Sequence, residues 1–223
     1  IDDFYADETY EHMVAPGMVY ISNPTEYGTL YTLEELADLS TVCEQAGIPL
    51  YMDGARLAYA LAAEGNDVTL NDVARLCDVF YIGGTKVGAL FGEAVVASPG
   101  WLPHFTPLVK QHGALLAKGR LLGVQFDALF TDGLYEEIGR HAVSQAIRIR
   151  DAFTAAGYPP FIPSPTNQQF FRLPNEVIDS LSDAFTFEYW GPRGETVSDI
   201  RIVTSWATRP SDVDAFISRI QSL

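Results

Sequence analysis

The sequence predicts an α/β fold, with a partial large domain built on a mainly parallel sheet and a small C-terminal α+β domain. Three observations predict it. Short apolar runs alternate with helical stretches through the first half of the chain. Polar and glycine residues stand immediately beyond the ends of those runs. After Pro159-Pro160 the composition shifts and the elements shorten. The 223 residues are 48% hydrophobic and 19% charged, enough for a substantial core. At roughly 100–200 residues per domain they make one large domain or two unequal ones. The expected division is 1–154 and 155–223.

Each element has a local reason. Met18–Ser22 (MVYIS) reads as a strand entered through the turn-prone Pro16-Gly17. Thr32 and Glu35 form a capping box, Leu33, Leu36, Leu39 and Val42-Cys43 recur at helical spacing, and Gly47 supplies the stop. Pro49–Met52 is the next strand, so strand, helix and strand form a parallel unit. Ala55–Ala63 is predicted helical, Thr69 and Asp72 open a short helix to Leu76, and Val79–Ile82 and Phe91–Ala97 are further strands. Long helices are predicted over Gly113–Phe130 and Tyr135–Ala156, joined by Thr131-Asp132-Gly133. Beyond them lie a strand at Gln168–Leu173, a helix at Asn175–Leu181, strands at Phe185–Trp190 and Asp199–Thr204, and a final helix at Pro210–Ser222.

The net charge of −15 argues against nucleic acid and anionic membranes as partners. No apolar run approaches the roughly 20 residues that span a bilayer. Cys43 and Cys77 sit in apolar helical patterns and form no metal motif, so they are expected to be reduced core thiols of a cytoplasmic protein that holds no metal.

The residues that carry chemistry follow two of the strands. Ligands in open α/β sheets bind beyond the carboxyl ends of the strands. Asp53 stands at the end of one strand, with Arg56 three residues on. Lys86 follows a second strand in the turn Gly83-Gly84-Thr85-Lys86-Val87-Gly88. Taken singly, Asp53 reads equally well as a helix N-cap, Lys86 as a solvated loop lysine and Arg56 as an ion-paired surface residue. Together they match what pyridoxal 5'-phosphate requires: a lysine for a Schiff base, an acid for the pyridine nitrogen, and a cation for the carboxylate of an amino-acid substrate. The Gly83–Lys86 turn lacks P-loop spacing, and no GxGxxG follows a strand.

The stretches MVYISNPTEYGTLYTLEEL, YMDGARLAYAL, DVFYIGGTKVGALFGEAVV, KQHGALLAKGRLLGVQF and IRIVTSWAT run through nearly the whole chain. In that order they closely resemble the low-specificity threonine aldolases of the aromatic amino acid β-eliminating lyase/threonine aldolase group. The resemblance implies a fold-type-I pyridoxal phosphate enzyme. It implies that Lys86 forms the Schiff base, Asp53 pairs with the pyridine nitrogen, Thr85 reaches the cofactor phosphate, and Arg56 and Arg201 hold the substrate carboxylate. Lys118 and Arg120 would approach the phosphate of their own or a neighbouring subunit, in a homodimer or homotetramer.

The resemblance also has gaps. The group carries an N-terminal stretch with a Gly-rich turn and a histidine that stacks on the cofactor, and neither is found here. The 223 residues are therefore expected to be the C-terminal portion of a longer enzyme. His12 and His141 read as surface residues, while His104 and His112 flank a Pro-containing loop and are not expected to stack on the cofactor. Where some relatives place a histidine in the Asn23–Gly28 loop, this chain has Thr25 and Glu26. The expected reaction is cleavage of the Cα–Cβ bond of threonine or a related β-hydroxy-α-amino acid to glycine and an aldehyde. The alternatives are β-elimination from an aromatic or β-substituted amino acid, a non-catalytic fragment, and an unrelated sugar-phosphate binder.

Overall fold

Four short strands form the first sheet, in the order β1 (Val19–Ser22), β2 (Leu50–Asp53), β3 (Val79–Ile82) and β4 (Ala94–Ala97). The computed structural model describes the whole chain, Ile1–Leu223. β1, β2 and β3 are parallel and β4 is antiparallel to β3, so the sheet is mixed and mostly parallel. Ser22 lies opposite Asp53, and Met52 opposite Phe80, so the carboxyl ends of the parallel strands share one edge.

The helices form where their caps and apolar spacing dictate. α2 (Leu33–Ala46) starts at the capping box of Thr32 and Glu35 and ends on Gly47 in the left-handed region. α4 (Leu70–Leu76) starts at an equivalent box of Thr69 and Asp72. Leu36, Leu50, Met52, Leu57, Val73 and Phe80 are fully or almost fully buried in one cluster around the sheet. Each such side chain contributes about 2 kcal/mol through burial. The short helix α3 (Leu57–Leu61) is crossed by the long helix α7 (Leu134–Ala155). At the crossing, a Cβ on Gly139 would lie 2.4 Å from the Ala58 carbonyl oxygen, so glycine sets the approach.

A second, antiparallel sheet has the order β5 (Gln168–Pro174), β7 (Val197–Val203), β6 (Glu188–Tyr189). It packs with α8 (Asn175–Ser182) and α9 (Pro210–Ile220) around Phe171, Leu173, Ile178, Ile200 and Phe216. Ile149 and Phe153 of α7 belong to this second cluster, whereas Ala142 and Val143 belong to the first, so α7 serves both. No helix is long and apolar enough to cross a membrane.

Several expectations need correction. The helix expected over Gly113–Phe130 begins only at Arg120 (α6, Arg120–Phe130), because Gly113 adopts a left-handed conformation that ends a separate helix, α5 (Phe105–Gln111). The short helix α1 (Asp2–Ala6) was not foreseen. α3 starts at Leu57 rather than Ala55, since Asp53 to Arg56 form a turn. β4 starts at Ala94 rather than Phe91, because Gly92 has φ +87°. In the second sheet β6 is reduced to two residues, and β7 runs from Val197 to Val203. His141 is half-buried rather than on the surface, and its Nε2 donates to the Thr208 carbonyl at 2.8 Å. Cys43 and Cys77 are free and buried, as expected, and burial raises both thiol pKa values, that of Cys77 to about 12.

Candidate active site

Two glycines let the ends of β2 and β3 meet. A Cβ on Gly54 would lie 2.0 Å from the Tyr81 carbonyl oxygen, and one on Gly83 2.3 Å from that of Ala55. Gly54 accepts backbone hydrogen bonds from both Leu57 and Gly83 at 2.9 Å. The turn carrying Asp53 and Arg56 is thereby fixed against the turn carrying Lys86.

Asp53 is not a helix cap. Its Oδ1 accepts from the Ala55 N–H at 2.9 Å, inside the turn, and its Oδ2 accepts from the Tyr20 hydroxyl. Burial alone would raise its pKa. Hydrogen bonds from Tyr20, Tyr81 and the Ala55 N–H, with the charge of Lys86, outweigh that and hold the carboxyl below the usual range. The tyrosines show the reciprocal effect. The hydrogen bond to Asp53, followed by burial, pushes Tyr20 up to about 12, and burial followed by the same partner raises Tyr81.

Lys86 lies in a 3₁₀ turn, Thr85–Val87, whose Lys86 carbonyl accepts from the buried Tyr59 hydroxyl. Desolvation first, and repulsion by Arg56 second, lower the amine's pKa, while Glu26, Asp53 and Glu93 act in the opposite direction. An amine so shifted carries a larger neutral, nucleophilic fraction near pH 7.

The two arginines come from different sheets. Arg56 follows β2, and Arg201 is a β7 residue paired in register with Phe170 and Glu188. Both side chains are nearly buried, with 13% and 12% exposed. Arg201 is held by Glu188 at 2.6 and 3.0 Å, by Gln168 Oε1 at 2.9 Å, and by the face of Trp190, 4.8 Å from the ring centroid. Glu26 approaches both arginines, one oxygen 3.4 Å from Arg56 Nη1 and the other 3.7 Å from Arg201 Nη1. Its loop is fixed from behind. Gly28, at φ +70°, is buried so tightly on Ser164 that a Cβ there would meet Ser164 Oγ at 2.2 Å. Ser164 also donates its hydroxyl to the Gly28 carbonyl.

Lys86, Thr85, Arg56 and Arg201 line one cavity of about 360 Å³, together with Asn167 and Trp206. Asp53 is not in its wall and acts on Lys86 through its charge. A larger cavity of about 460 Å³ lies between α9 and the second sheet. Phe185, Phe187, Val213 and Phe216 line it, and it contains Arg201 but neither Lys86 nor Arg56. Lys118 and Arg120 are exposed and outside the 360 Å³ cavity; none of the four histidines lines it either.

Sequence reasoning missed Tyr20, Tyr81, Glu93 and Glu188. Strand alternation held the signal for the tyrosines: the register puts Tyr81 level with Asp53, and Tyr20 stacks on Tyr51 at 5.4 Å. Glu188 had no such signal, since its partner Arg201 is 13 residues away across a turn.

Residues 2–158 match the model of the family described as beta-eliminating lyase. The chain is 30% identical over 200 residues to a low specificity L-threonine aldolase of Pseudomonas aeruginosa, covering 88% of this chain and 57% of that protein. It is 28% identical over 217 residues to the low specificity L-threonine aldolase of Pseudomonas sp. (strain NCIMB 10558), covering 95% and 61%. The solved structure of Leishmania major threonine aldolase superposes with a TM-score of 0.93 at 42% identity, covering 99% of this chain and 65% of that one. The chain thus spans less than two thirds of each of these proteins. More distant structures, at 18% identity and below, share the architecture, which is that of the fold-type-I pyridoxal phosphate enzymes.

Proposed function

The chain belongs to the beta-eliminating lyase family, and from that premise we propose that it serves a pyridoxal-phosphate-dependent aldolase. The proposed reaction cleaves threonine or a related β-hydroxy-α-amino acid to glycine and an aldehyde. One observation carries this reading: a lysine with a lowered pKa and two nearly buried arginines share one cavity, while an ionised carboxylate stands behind it. That donor set fits the cofactor. Lys86 would join its aldehyde, Asp53 would face its pyridine nitrogen, and Thr85 and the Gly83-Gly84 turn lie beside them. When bound, pyridoxal phosphate supplies an electron sink for the pair left on Cα as the Cα–Cβ bond breaks.

The chain's own residues would do the rest. Arg56 and Arg201 bind the substrate carboxylate and so orient the Cα–Cβ bond. A substrate carboxylate takes over the contacts that Glu26 makes with both arginines. Glu26, whose side chain is 63% exposed, is then free to accept the proton of the β-hydroxyl. Asp53 stays ionised through its hydrogen bonds, and Lys86 returns as the amine that releases product.

We further propose a cytoplasmic homodimer or homotetramer. The reduced thiols support the compartment. The exposed Leu115, Leu116, Leu121 and Val124 support the assembly. The test is chemical. Full-length protein is incubated with pyridoxal phosphate, reduced with borohydride and digested, and pyridoxyl-lysine is expected at Lys86. Threonine is then expected to give glycine and acetaldehyde. Pyruvate and ammonia from a β-substituted amino acid would indicate β-elimination instead. Label absent from Lys86 would overturn both.

A further inference from the structure

We propose that Glu93 is the positioning residue of the lysine turn: its carboxylate clamps the Gly84 N–H and the Thr85 hydroxyl and so fixes where Lys86 enters the cavity. Glu93 Oε2 accepts from the Gly84 N–H, and Oε1 accepts from Thr85 Oγ1 at 3.2 Å. Gly84 is buried, and a buried backbone N–H needs an acceptor. Its own carbonyl is already taken by Val87 and Ala89, both at 3.0 Å. The carboxylate therefore completes the hydrogen bonding of the residue on which the turn is built.

The backbone is shaped to bring this acid there. A Cβ on Gly84 would lie 2.7 Å from the Gly92 carbonyl oxygen and 2.8 Å from Phe126 Cζ. A Cβ on Gly92 would lie 2.4 Å from Leu122 Cδ2. Two glycines thus let the chain entering β4 slide between α6 and the lysine turn, and the next residue is Glu93. The Thr85 hydroxyl is donated into this clamp, where the sequence suggested a contact to a phosphate.

Glu93 also contributes charge. Lys86 is faced by Arg56, which disfavours its protonated form, and by Glu26, Asp53 and Glu93, which favour it. Removing one negative charge lowers the amine's proton affinity. The catalytic importance of the clamp rests on reading Lys86 as the cofactor lysine. The placement of Lys86 does not.

The experiment uses full-length protein without added cofactor. Lys86 acylation by acetic anhydride is followed across pH by mass spectrometry, and Gly84 amide exchange is followed by NMR. Glu93→Gln should move the acylation midpoint of Lys86 to lower pH. Glu93→Ala should speed Gly84 exchange by about tenfold or more through local opening. Thr85→Val should give a smaller effect that does not add to that of Glu93→Ala. Glu93 is exposed, so these variants keep the core intact. A midpoint that stays put or rises in Glu93→Gln, or unchanged exchange in Glu93→Ala, overturns the proposal. If these shifts occur while pyridoxal phosphate never labels Lys86, the clamp stands and the functional reading falls.

Discussion

At the scale of single residues, the site sets opposing demands on its ionisable groups. Hydrogen bonds and the charge of Lys86 hold Asp53 in its charged form against burial, whereas burial and Arg56 shift Lys86 toward its neutral form. The folded pKa of Asp53 lies below its unfolded value of about 3.9. Its contribution to stability is therefore complete above that value and is lost as pH falls through the folded pKa. Urea-unfolding midpoints of Asp53→Asn should accordingly fall less than those of wild type on acidification from pH 7 towards about pH 3. Activity of the full-length variant should drop by roughly 100-fold or more, as for loss of one preorganised electrostatic group.

Glu26 gives a separate prediction at the same scale. If it leaves the arginines and takes the hydroxyl proton, Glu26→Gln loses the base and also a competitor for the substrate carboxylate. Then kcat on threonine should fall by about 10² or more while KM stays level or falls. An unchanged kcat would assign the proton to another group.

At the scale of elements, close backbone approach decides more than propensity. The legible elements had local causes: the boxes at Thr32 and Thr69 and the apolar runs of β1, β2 and β3. The illegible ones did not. α5 buries no residue, so it has no apolar periodicity to read. The apolar Ala114, Leu115, Leu116 and Ala117 read as the start of the next helix, although that helix begins only at Arg120. The site divided in the same way. Asp53, Arg56 and Lys86 follow strand ends and could be read from position, whereas the acids come from other parts of the chain: Glu26 meets Arg56, Glu93 meets the Lys86 turn, and Glu188 meets Arg201 from the neighbouring strand.

Glycine contacts give the prediction at this scale. Gly139→Ala would force α7 from α3 and should destabilise by about 1–3 kcal/mol. Gly123→Ala in α6, with nothing within 4 Å, should instead be neutral or stabilise by up to ~1 kcal/mol. Urea unfolding of the two variants distinguishes packing from helix propensity. Similar effects would refute the close-contact explanation.

At the scale of the whole molecule, the two sheets each supply one arginine. We propose the division 1–154 and 155–223, with α7 contributing core residues to both units. The 360 Å³ cavity then lies at their seam, and on the proposed function Arg201 would be the charged residue that the second unit offers a substrate carboxylate. Its fork is held by Glu188 and Gln168, a geometry a lysine cannot reproduce. Arg201→Lys in the full-length enzyme should therefore raise KM for threonine by roughly 10- to 100-fold, the size of one or two charge-assisted hydrogen bonds. Borohydride labelling of Lys86 should be unaffected, because Lys86 is held within the first unit. Loss of both would mean that Arg201 supports the cavity as a whole, and an unchanged KM would leave Arg56 as the carboxylate's partner. Separating the two readouts asks whether the second unit binds substrate or only closes the site.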